Sequence, residues 1–458
     1  MITTDEIHQQ ARQLNITPAA VQRDYVLGWL IFGVFARSAL GRHLILKGGN
    51  ALRKAYFANT RFSDDLDFTT QENLDPETLA RELDLVCQFV QEHTGVAFDL
   101  EQNRVEEGRF ITKEKRVYKV RLYFRGFAEH FEHLTLRVNV DITQNDRLSL
   151  PAQMRALIHP YSDGDDCRTE LRCVQLEEVL ADKLKCLLQR RRSHDLYDLV
   201  HALFINTKVA IDRKAIIETF LGKTIFKPSP PALRDLLLEV PFEVFRDYWR
   251  KAIACPEGSH LPFDSAVDHF RQEIPALFAP FSYGEHASVA FFPARLRNPI
   301  LEAGSGWKVL RVEYDGVTRL VEPYSLVFKR RMDGHGQEYL YVYDRTGGRS
   351  SGPDIKSFVH SKLTRVEVTD EQFQPRFEVE LSKAGEFGDR SYFGRPFGGG
   401  TRAAGQVRRA LSFSGMTYRI RCPFCNKTFR RKTMFDARLN AHKNEYGFPC
   451  SGTIGFPD

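Results

Sequence analysis

Two aspartates separated by one residue are the first candidates for chemistry in this sequence. Asp65 and Asp67 lie in the segment RFSDDLDF, where the apolar Leu66 and Phe68 alternate with them. Because residues two apart on a β-strand point to the same face, the two carboxylates would lie side by side, with the apolar side chains buried behind them. Two close carboxylates repel each other unless a cation lies between them, and Mg²⁺ prefers a few carboxylates together with phosphate oxygens. The spacing therefore predicts a Mg²⁺ (or Mn²⁺) site able to hold a triphosphate.

A pair of glycines upstream could supply the phosphate-binding half of such a site. Gly48 and Gly49 follow the apolar run HLIL and precede a helix-like segment at residues 51–57. Glycine lets the backbone approach a ligand closely, and the first amides of a helix attract anions. We therefore expect a phosphate cradle that faces the carboxylate pair.

Together these motifs resemble the nucleotidyltransferase superfamily, in which a strand, a Gly-Gly or Gly-Ser turn and a helix precede an Asp-x-Asp strand. The likeness is closer to the AbiEii/AbiGii toxin family of abortive-infection and toxin–antitoxin systems. Its signature GG[TS]ALR…R[FY]S.DLDF reads KGGNALR…RFSDDLDF here, with Asn50 in place of the usual hydroxyl residue. The resemblance implies an α+β fold, with a nucleotidyltransferase-like mixed sheet and a helical cap within residues 1–285. It also implies nucleotide contacts from Gly48, Gly49, Asn50, Arg61 and Ser63.

The same resemblance implies a third carboxylate, because nucleotidyltransferases typically complete a two-metal site from a neighbouring strand. The segment LRVNVDI alternates apolar and polar residues and carries Asp141 on its polar face. There Asp141 would bind metal or deprotonate an acceptor hydroxyl. The alternative is a surface aspartate that closes a strand.

A predicted helical hairpin, ADKLKCLLQRRRSHDLYDL, carries the next candidates. By resemblance to the family's lysine-bearing helix and its RD..D motif, Lys183 would contact the triphosphate and Asp198 or Asp195 would support catalysis. His194 replaces the arginine of that motif. Asp195 and Asp198 share a helix face, so the alternative is an acidic pair on a solvated helix.

Membership of this family implies transfer of a nucleoside monophosphate from an NTP to an acceptor, with RNA and particularly tRNA as the plausible acceptor. It also implies a possible cognate antitoxin protein. Two other functions fit the same residues. One is a nucleotide-sensing regulatory protein that binds nucleic acid through its C-terminal half. The other is a nucleotidyltransferase that modifies a protein side chain.

Residues 290–384 are predicted to form a small β-rich domain, because short alternating segments are separated by turn residues such as Asp315-Gly316 and Asp333-Gly334. The segments EPYSLVFK, EYLYVYDR, SFVHSKLTRVEVTDEQF and PRFEVEL resemble the WYL domain of bacterial regulators, which is an SH3-like barrel. Cross-strand aromatic packing is the alternative for the tyrosines. On the resemblance, the candidates for a binding face are Tyr324, Tyr341, Tyr343, Arg345, His360 and Arg365.

The C-terminal tail has the spacing of a zinc module. Cys422 and Cys425 form a CxxC pair, and His442 and Cys450 follow at distances that could complete a tetrahedral structural Zn²⁺ site. This module would span residues 411–458, and the Gly- and Arg-rich residues 385–410 would form a linker. Whether Cys450 is the fourth ligand stays open at this point.

Composition limits the class of protein. The chain has 458 residues, 42% of them hydrophobic and 27% charged, which is typical of a multidomain globular protein. No apolar run reaches the ~18–20 residues of a membrane span, and scattered cysteines favour the cytoplasm. Between Arg402 and Lys443 there are eleven Lys or Arg residues against one acid, Asp436. Such a cluster suits a polyanionic partner or a solvated basic tail.

Overall fold

The computed structural model describes residues 2–457 except 113, 128–133, 207, 284–289, 333, 349–350, 384–417, 423–426, 432–438, 443–449 and 451–455. The chain divides into two compact units, residues 1–389 and 390–458. The predicted linker, residues 385–410, lies outside the described residues. Within the described part of the chain, no helix is both long enough and apolar enough to cross a membrane.

Two helices open the chain, α1 (Thr4–Leu14) and α2 (Pro18–Arg37). Thr17 caps α2 by accepting a hydrogen bond from the Ala20 amide, and Pro18 occupies the first turn, where its missing N–H costs nothing. Most of α2 is buried in the larger hydrophobic core. α2 thus packs in the same hydrophobic core as the central sheet.

A seven-stranded mixed sheet forms the centre of the first unit. Its strands are β1 (Ile45–Lys47), β2 (Leu66–Thr69), β3 (Arg104–Glu107), β4 (Val117–Arg125), β5 (Thr135–Thr143), β6 (Gln153–Ala156) and β7 (Glu170–Cys173). Their order in the sheet is β3-β4-β5-β2-β1-β7-β6, in which β2–β5 and β1–β7 are parallel and the other pairs are antiparallel. The predicted mixed sheet is confirmed.

Helices surround this sheet and extend it into a helical region. Asp75 caps the helix α4 (Pro76–Thr94) by accepting a hydrogen bond from the Thr78 amide. The helix after β1 begins earlier than expected, at Gly48, and continues as a π-helical turn over Leu52–Tyr56. The remaining helices are α3 (Gly48–Ala51), α5 (Leu176–Gln189), α6 (Ser193–Val200), α7 (Arg213–Gly222), α8 (Pro230–Leu238), α9 (Arg246–Ala252) and α10 (Phe263–Phe278).

The predicted β-rich region is a five-stranded antiparallel sheet with strand order β11-β10-β9-β8-β12. Asp315 and Gly316 both have positive φ, 55° and 72°, and form the predicted tight turn between β8 and β9. Asp333, of the second predicted turn, lies outside the described residues. The strands are β8 (Lys308–Tyr314), β9 (Val317–Arg330), β10 (Gly336–Asp344), β11 (Asp354–Phe358) and β12 (Leu363–Gln372).

Two elements of this region differ from the sequence prediction. A helix, α11 (Ala294–Gly306), precedes β8, although only strands are expected after residue 290. The segment PRFEVEL is not a strand. Instead Val379 and Leu381 are buried in the core of the β-rich region, and Glu378 and Glu380 form ion pairs with Lys119 and Lys115. Long-range packing and ion pairing outweigh its alternating pattern.

The β3–β4 connection links the two cores of the first unit. Ile111 is buried among the apolar side chains of the β-rich region. The Glu378 amide donates to the Arg109 carbonyl at 2.7 Å, and Lys119 Nζ lies 2.7 Å from Glu378 Oε2. The β-rich region is therefore anchored beside β4.

In the described residues of the second unit there are three short antiparallel strands, with the first in the centre: β13 (Tyr418–Arg421), β14 (Thr428–Arg431) and β15 (Phe456–Pro457). Among the same residues, Ile420, Cys422 and Leu439 form an apolar cluster.

Candidate active site

Asp67 and Asp141 lie directly opposite each other on the parallel strands β2 and β5. Directly paired residues share a face of the sheet, so both carboxylates project from the same side. The alternate residues Leu66 and Phe68 are each only 1% exposed, as the alternation predicts. The sheet therefore presents two carboxylates from adjacent strands on a half-buried polar face.

Asp65 joins this face from outside the strand. β2 begins at Leu66, so the prediction that Asp65 itself is a strand residue is wrong. Its carboxylate accepts a hydrogen bond from Asn139 Nδ2 at 2.9 Å. Asn139 precedes Asp141 by two residues on β5 and therefore shares its face. Asn139 thus directs the Asp65 carboxylate toward the same side of the sheet as Asp67 and Asp141.

Gly48 and Gly49, at the start of α3, place the backbone close to the side chains of the site. Gly48 has φ of +72°, and a Cβ on it would lie 2.3 Å from Asp67 Oδ2. A Cβ on Gly49 would lie 2.7 Å from Ser63 Oγ and 2.9 Å from Arg61 Nη2. A side chain at either position would therefore force these groups to shift, and at Gly48 it would also strain the backbone.

The Asn50 side chain contacts the protein backbone rather than facing outward. Its Nδ2 donates to the Asp65 carbonyl at 2.7 Å and to the Ser63 carbonyl at 3.4 Å, and the side chain is fully buried. Both amide hydrogens therefore hold the loop that carries Asp65. They do not face outward toward a phosphate, which corrects the prediction for this side chain.

The predicted hairpin residues form a buried ionic network with Arg61. Arg61 forms a bidentate salt bridge with Asp198, with Nε–Oδ1 at 2.7 Å and Nη2–Oδ2 at 2.8 Å. Lys183 Nζ lies 2.7 Å from Asp198 Oδ2 and 2.9 Å from Asp195 Oδ1. Arg190 completes the network through Asp195, Nε–Oδ2 2.9 Å and Nη2–Oδ1 3.0 Å. The interpretation of Asp195 and Asp198 as a solvated surface pair is wrong.

The network has three cations and two carboxylates, so it carries excess positive charge. Burial alone would raise the pKa of Asp195, but Arg190 and Lys183 hold it well below its usual range. Burial would likewise raise the pKa of Asp198, but Arg61 and Lys183 lower it. Both carboxylates are therefore ionised at neutral pH, and their oxygens are engaged by cations.

Arg190 connects this network to the carboxylate face. Burial would lower its pKa, but Asp195 raises it, and the Asp67 carboxylate is close enough to add to that increase. Sequence reasoning did not single out Arg190, because this residue follows the last residue of α5 in an extended conformation, where helical spacing no longer predicts its direction. Asn139 and Lys47 were also missed. Lys47 pairs with Asp67 in register and binds Thr143 Oγ1 at 3.0 Å.

A second buried ionic cluster fixes the loop that contains Arg61. Asp24 accepts from Arg53 Nε at 2.5 Å and from Lys54 Nζ at 2.8 Å. Arg53 also donates to the Thr60 carbonyl at 3.0 Å and lies 3.5 Å above the ring of Phe62. Arg53, the arginine of the ALR motif, therefore holds the two residues on either side of Arg61 in place.

The predicted binding face of the β-rich region is only partly consistent with the structure. Tyr324 is fully buried and donates to Glu322 Oε2 at 2.8 Å, so it belongs to the core, as the alternative interpretation holds. Arg345 also binds Glu322, and Arg376 lies over the ring of Tyr343. The other candidates are Tyr341, near Lys329 Nζ; Arg365, paired with Glu367; and His360, beside Phe292.

In the second unit, Cys422, His442 and Cys450 bring their ligand atoms within 4.8 Å of one another. His442 Nδ1 donates to the Asn440 carbonyl at 2.8 Å, which leaves Nε2 as the metal-facing nitrogen. Nε2 is buried and has no hydrogen-bond partner among the described residues. Cys425 lies outside them. The three described groups fit a zinc site.

The mixed sheet, the glycine turn and the adjoining carboxylates are consistent with a nucleotidyltransferase fold. A family model described as "Nucleotidyl transferase AbiEii toxin, Type IV TA system" matches residues 29–269. The chain belongs to this family of nucleotidyltransferase toxins.

Among solved structures, the chain is similar to MenT4, a nucleotidyltransferase toxin from Mycobacterium tuberculosis H37Rv. The identity is 18% and the TM-score 0.36, over 62% of this chain and 100% of that one. A comparison of the sequence with curated proteins gave no match.

Proposed function

We propose that this protein transfers a nucleoside monophosphate from an NTP to an RNA acceptor, with tRNA as the favoured class, and releases pyrophosphate. The observation that carries the proposal is the in-register pair of Asp67 and Asp141, with the positive-φ turn at Gly48 against Asp67. As a member of a type IV toxin family, the protein would act as a toxin whose partner is a cognate antitoxin.

The three carboxylates of the sheet face are the proposed metal ligands. Asp65, Asp67 and Asp141 offer hard oxygen donors on one side, the donor type that Mg²⁺ prefers. Bound there, Mg²⁺ ions would neutralise charge on the triphosphate and on the leaving pyrophosphate. The same carboxylates would orient the acceptor hydroxyl, and Asp141 is the proposed acceptor of its proton.

The excess positive charge of the buried network is proposed to stabilise the phosphates. Lys183 and Arg190 provide fixed cations, and Arg61 Nη2 lies where it would meet a phosphate at Gly49. Asp195 and Asp198 hold these cations in place rather than exchange protons, because their oxygens are already occupied. Such preorganised charge stabilises a transition state with little reorganisation.

The acceptor would approach over β4 and β5. Lys119 pairs in register with Asp141, and Arg121 pairs with Asn139 on the same face. Arg137 continues that face two residues farther along β5. Lys119 is ion-paired with Glu378 and Arg121 lies 3.5 Å from Glu106, so a polyanionic acceptor would replace these carboxylates as it binds this row of basic side chains.

The test uses purified protein, Mg²⁺, total bacterial RNA and each of the four α-³²P-labelled NTPs in turn. Label on a discrete RNA band, absent with Asp67→Asn, is the expected result and identifies the base. Label on protein would instead favour the protein-modifying function. Measurable NTP binding without transfer to RNA or protein would favour the nucleotide sensor and overturn the proposal.

For the second unit we propose a structural Zn²⁺ held by Cys422, His442, Cys450 and Cys425. Four protein ligands close the coordination shell, so the metal would stabilise the fold rather than react. The surrounding arginines and lysines of residues 402–443 would then contribute to RNA binding.

A further inference from the structure

The turn between α5 and α6 is held by contacts from the β-rich region. Arg297 Nη1, from α11, donates to the Leu188 carbonyl at 2.9 Å, and Gln189 Nε2 donates to the Leu326 carbonyl of β9 at 2.9 Å. Arg191 donates to the Asn298 side chain of α11. Residues on both sides of Arg190 are thus fixed by contacts from outside the nucleotidyltransferase sheet.

Arg297 is itself fixed by a buried carboxylate of β10. It is 3% exposed and forms an ion pair with the fully buried Glu338. It also donates to the Phe292 carbonyl at 3.1 Å, and the Phe292 amide donates to Glu338 Oε2 at 2.9 Å. All three nitrogens of the Arg297 guanidinium are therefore occupied.

This ion pair is located at a helix end that requires a donor. The last four carbonyls of a helix have no partner within the helix, and Leu188 is in the last turn of α5. Burying two charges is costly, and packed apolar residues often stabilise such a location as well or better. The contact to the Leu188 carbonyl supplies what an apolar pair could not, a defined position for the turn.

We infer that Arg297 and Glu338 are positioning residues for the candidate active site. They hold the α5–α6 turn from which Arg190 reaches Asp195 and approaches Asp67. The β-rich region thereby sets the location of a cation on which the proposed transfer depends. The inference rests on the proposed function for its effect on rate, but not for its effect on the turn.

The test compares Glu338→Gln and Arg297→Lys with a matched ion pair. Lysine has one ammonium group in place of the planar guanidinium, so it cannot donate to Leu188, Phe292 and Glu338 in the same geometry. The control is Arg319→Lys, because Arg319 binds the fully buried Asp344 at 2.9 Å within the same region. Circular dichroism confirms that each variant is folded. Hydrogen exchange then follows the amides of residues 186–200, and transfer is assayed with labelled NTP.

We expect faster exchange at residues 186–200 in both test variants and not in Arg319→Lys. We also expect kcat for transfer to fall about tenfold to a hundredfold, because small misplacements of a catalytic group have effects of that size. In an Arg190→Ala background, Glu338→Gln should cause no further decrease, since both changes act through one group.

Unchanged exchange, equal acceleration in Arg319→Lys, or a further decrease in the Arg190→Ala background would each overturn the inference. If the unmodified protein transfers no nucleotide, the proposed function fails. The exchange experiment still decides whether the pair positions the turn.

Discussion

Asp67 and Asp141 are in-register partners on adjacent parallel strands, and a glycine turn lies against the first of them. Parallel pairing makes both carboxylates leave the sheet at the same level. Their separation is set by the hydrogen bonds between two strands rather than by a loop. A carboxylate pair built in this way is rigid before any cation binds.

Replacing either carboxylate should abolish transfer but preserve the fold. Asp67→Asn and Asp141→Asn should each reduce the rate at least about 100-fold, because each removes charge that offsets the phosphates. Thermal stability without metal should be unchanged or higher, since repulsion between the carboxylates is relieved. Mg²⁺ should raise the melting temperature of the unmodified protein and not that of the variants. Glu77→Gln, in the exposed first turn of α4, is the control, and a similar loss there would contradict the assignment.

Gly48→Ala should inactivate the protein, because the added methyl group would strain the backbone at this residue and collide with the Asp67 carboxylate. The φ of +72° strains any other residue, and the added Cβ would meet Asp67 Oδ2 at 2.3 Å. Gly222→Ala is the matched control, because the residue lies in a helix and a Cβ there meets nothing within 4 Å. The control should keep full activity and gain about 0.5–1 kcal/mol in the free energy of unfolding. Activity in Gly48→Ala equal to that of the control would exclude the turn as a phosphate cradle.

Asp198→Asn should destabilise the fold strongly. It leaves the buried Arg61 and Lys183 without their shared carboxylate, and breaking a buried pair in this way costs about 3–5 kcal/mol. Urea unfolding gives the free energy directly. Asp264→Asn removes a partner from the exposed Arg246 and should leave the free energy of unfolding within error of the unmodified value. A small effect at Asp198 would show that solvent reaches the network.

Stability should depend on pH through His194. Burial lowers the pKa of His194 to about 3 from an ordinary value of 6.5. Between these values the unfolded chain binds a proton that the folded chain does not, so the free energy of unfolding falls as pH falls. The slope from one such group approaches about 1.4 kcal/mol per pH unit.

Urea unfolding at several pH values from about 4.5 to about 8 covers the upper part of that window and the plateau above it, and so measures this slope. His194→Gln keeps a donor for the Ala252 carbonyl and should reduce the slope below pH 6.5. His260→Gln changes an exposed side chain and should leave the profile as it is. Identical profiles for both variants would mean that His194 is solvated.

The tail should bind about one zinc ion per chain. Cys422→Ser should lose it, as determined by metal analysis of the purified protein. Cys87→Ser, which alters a buried cysteine of α4, should retain it. Retention of zinc by Cys422→Ser would exclude this cysteine as a ligand, and absence of zinc from the unmodified protein would remove the site.

The sequence was most informative where the regular spacing of residues along a strand or a helix determines which side chains share a face. Strand alternation correctly predicted that Asp67 and Asp141 lie on polar faces, and the helical spacing predicted that Asp195 and Asp198 share a side. Asn139 was missed because its importance depends on where the loop before β2 lies. Helix α11 and the non-strand PRFEVEL were missed for a related reason. Both are determined by packing between segments far apart in the chain, which no local pattern encodes.

Ile111 belongs by sequence to the nucleotidyltransferase region but is buried in the core of the β-rich region. A β-rich domain transferred by recombination to an unrelated host would lack this side chain and carry an apolar gap in its place. The same gap would arise if the domain were deleted and a foreign one inserted. The two regions are therefore expected to be inherited as a single evolutionary unit rather than exchanged as separate modules.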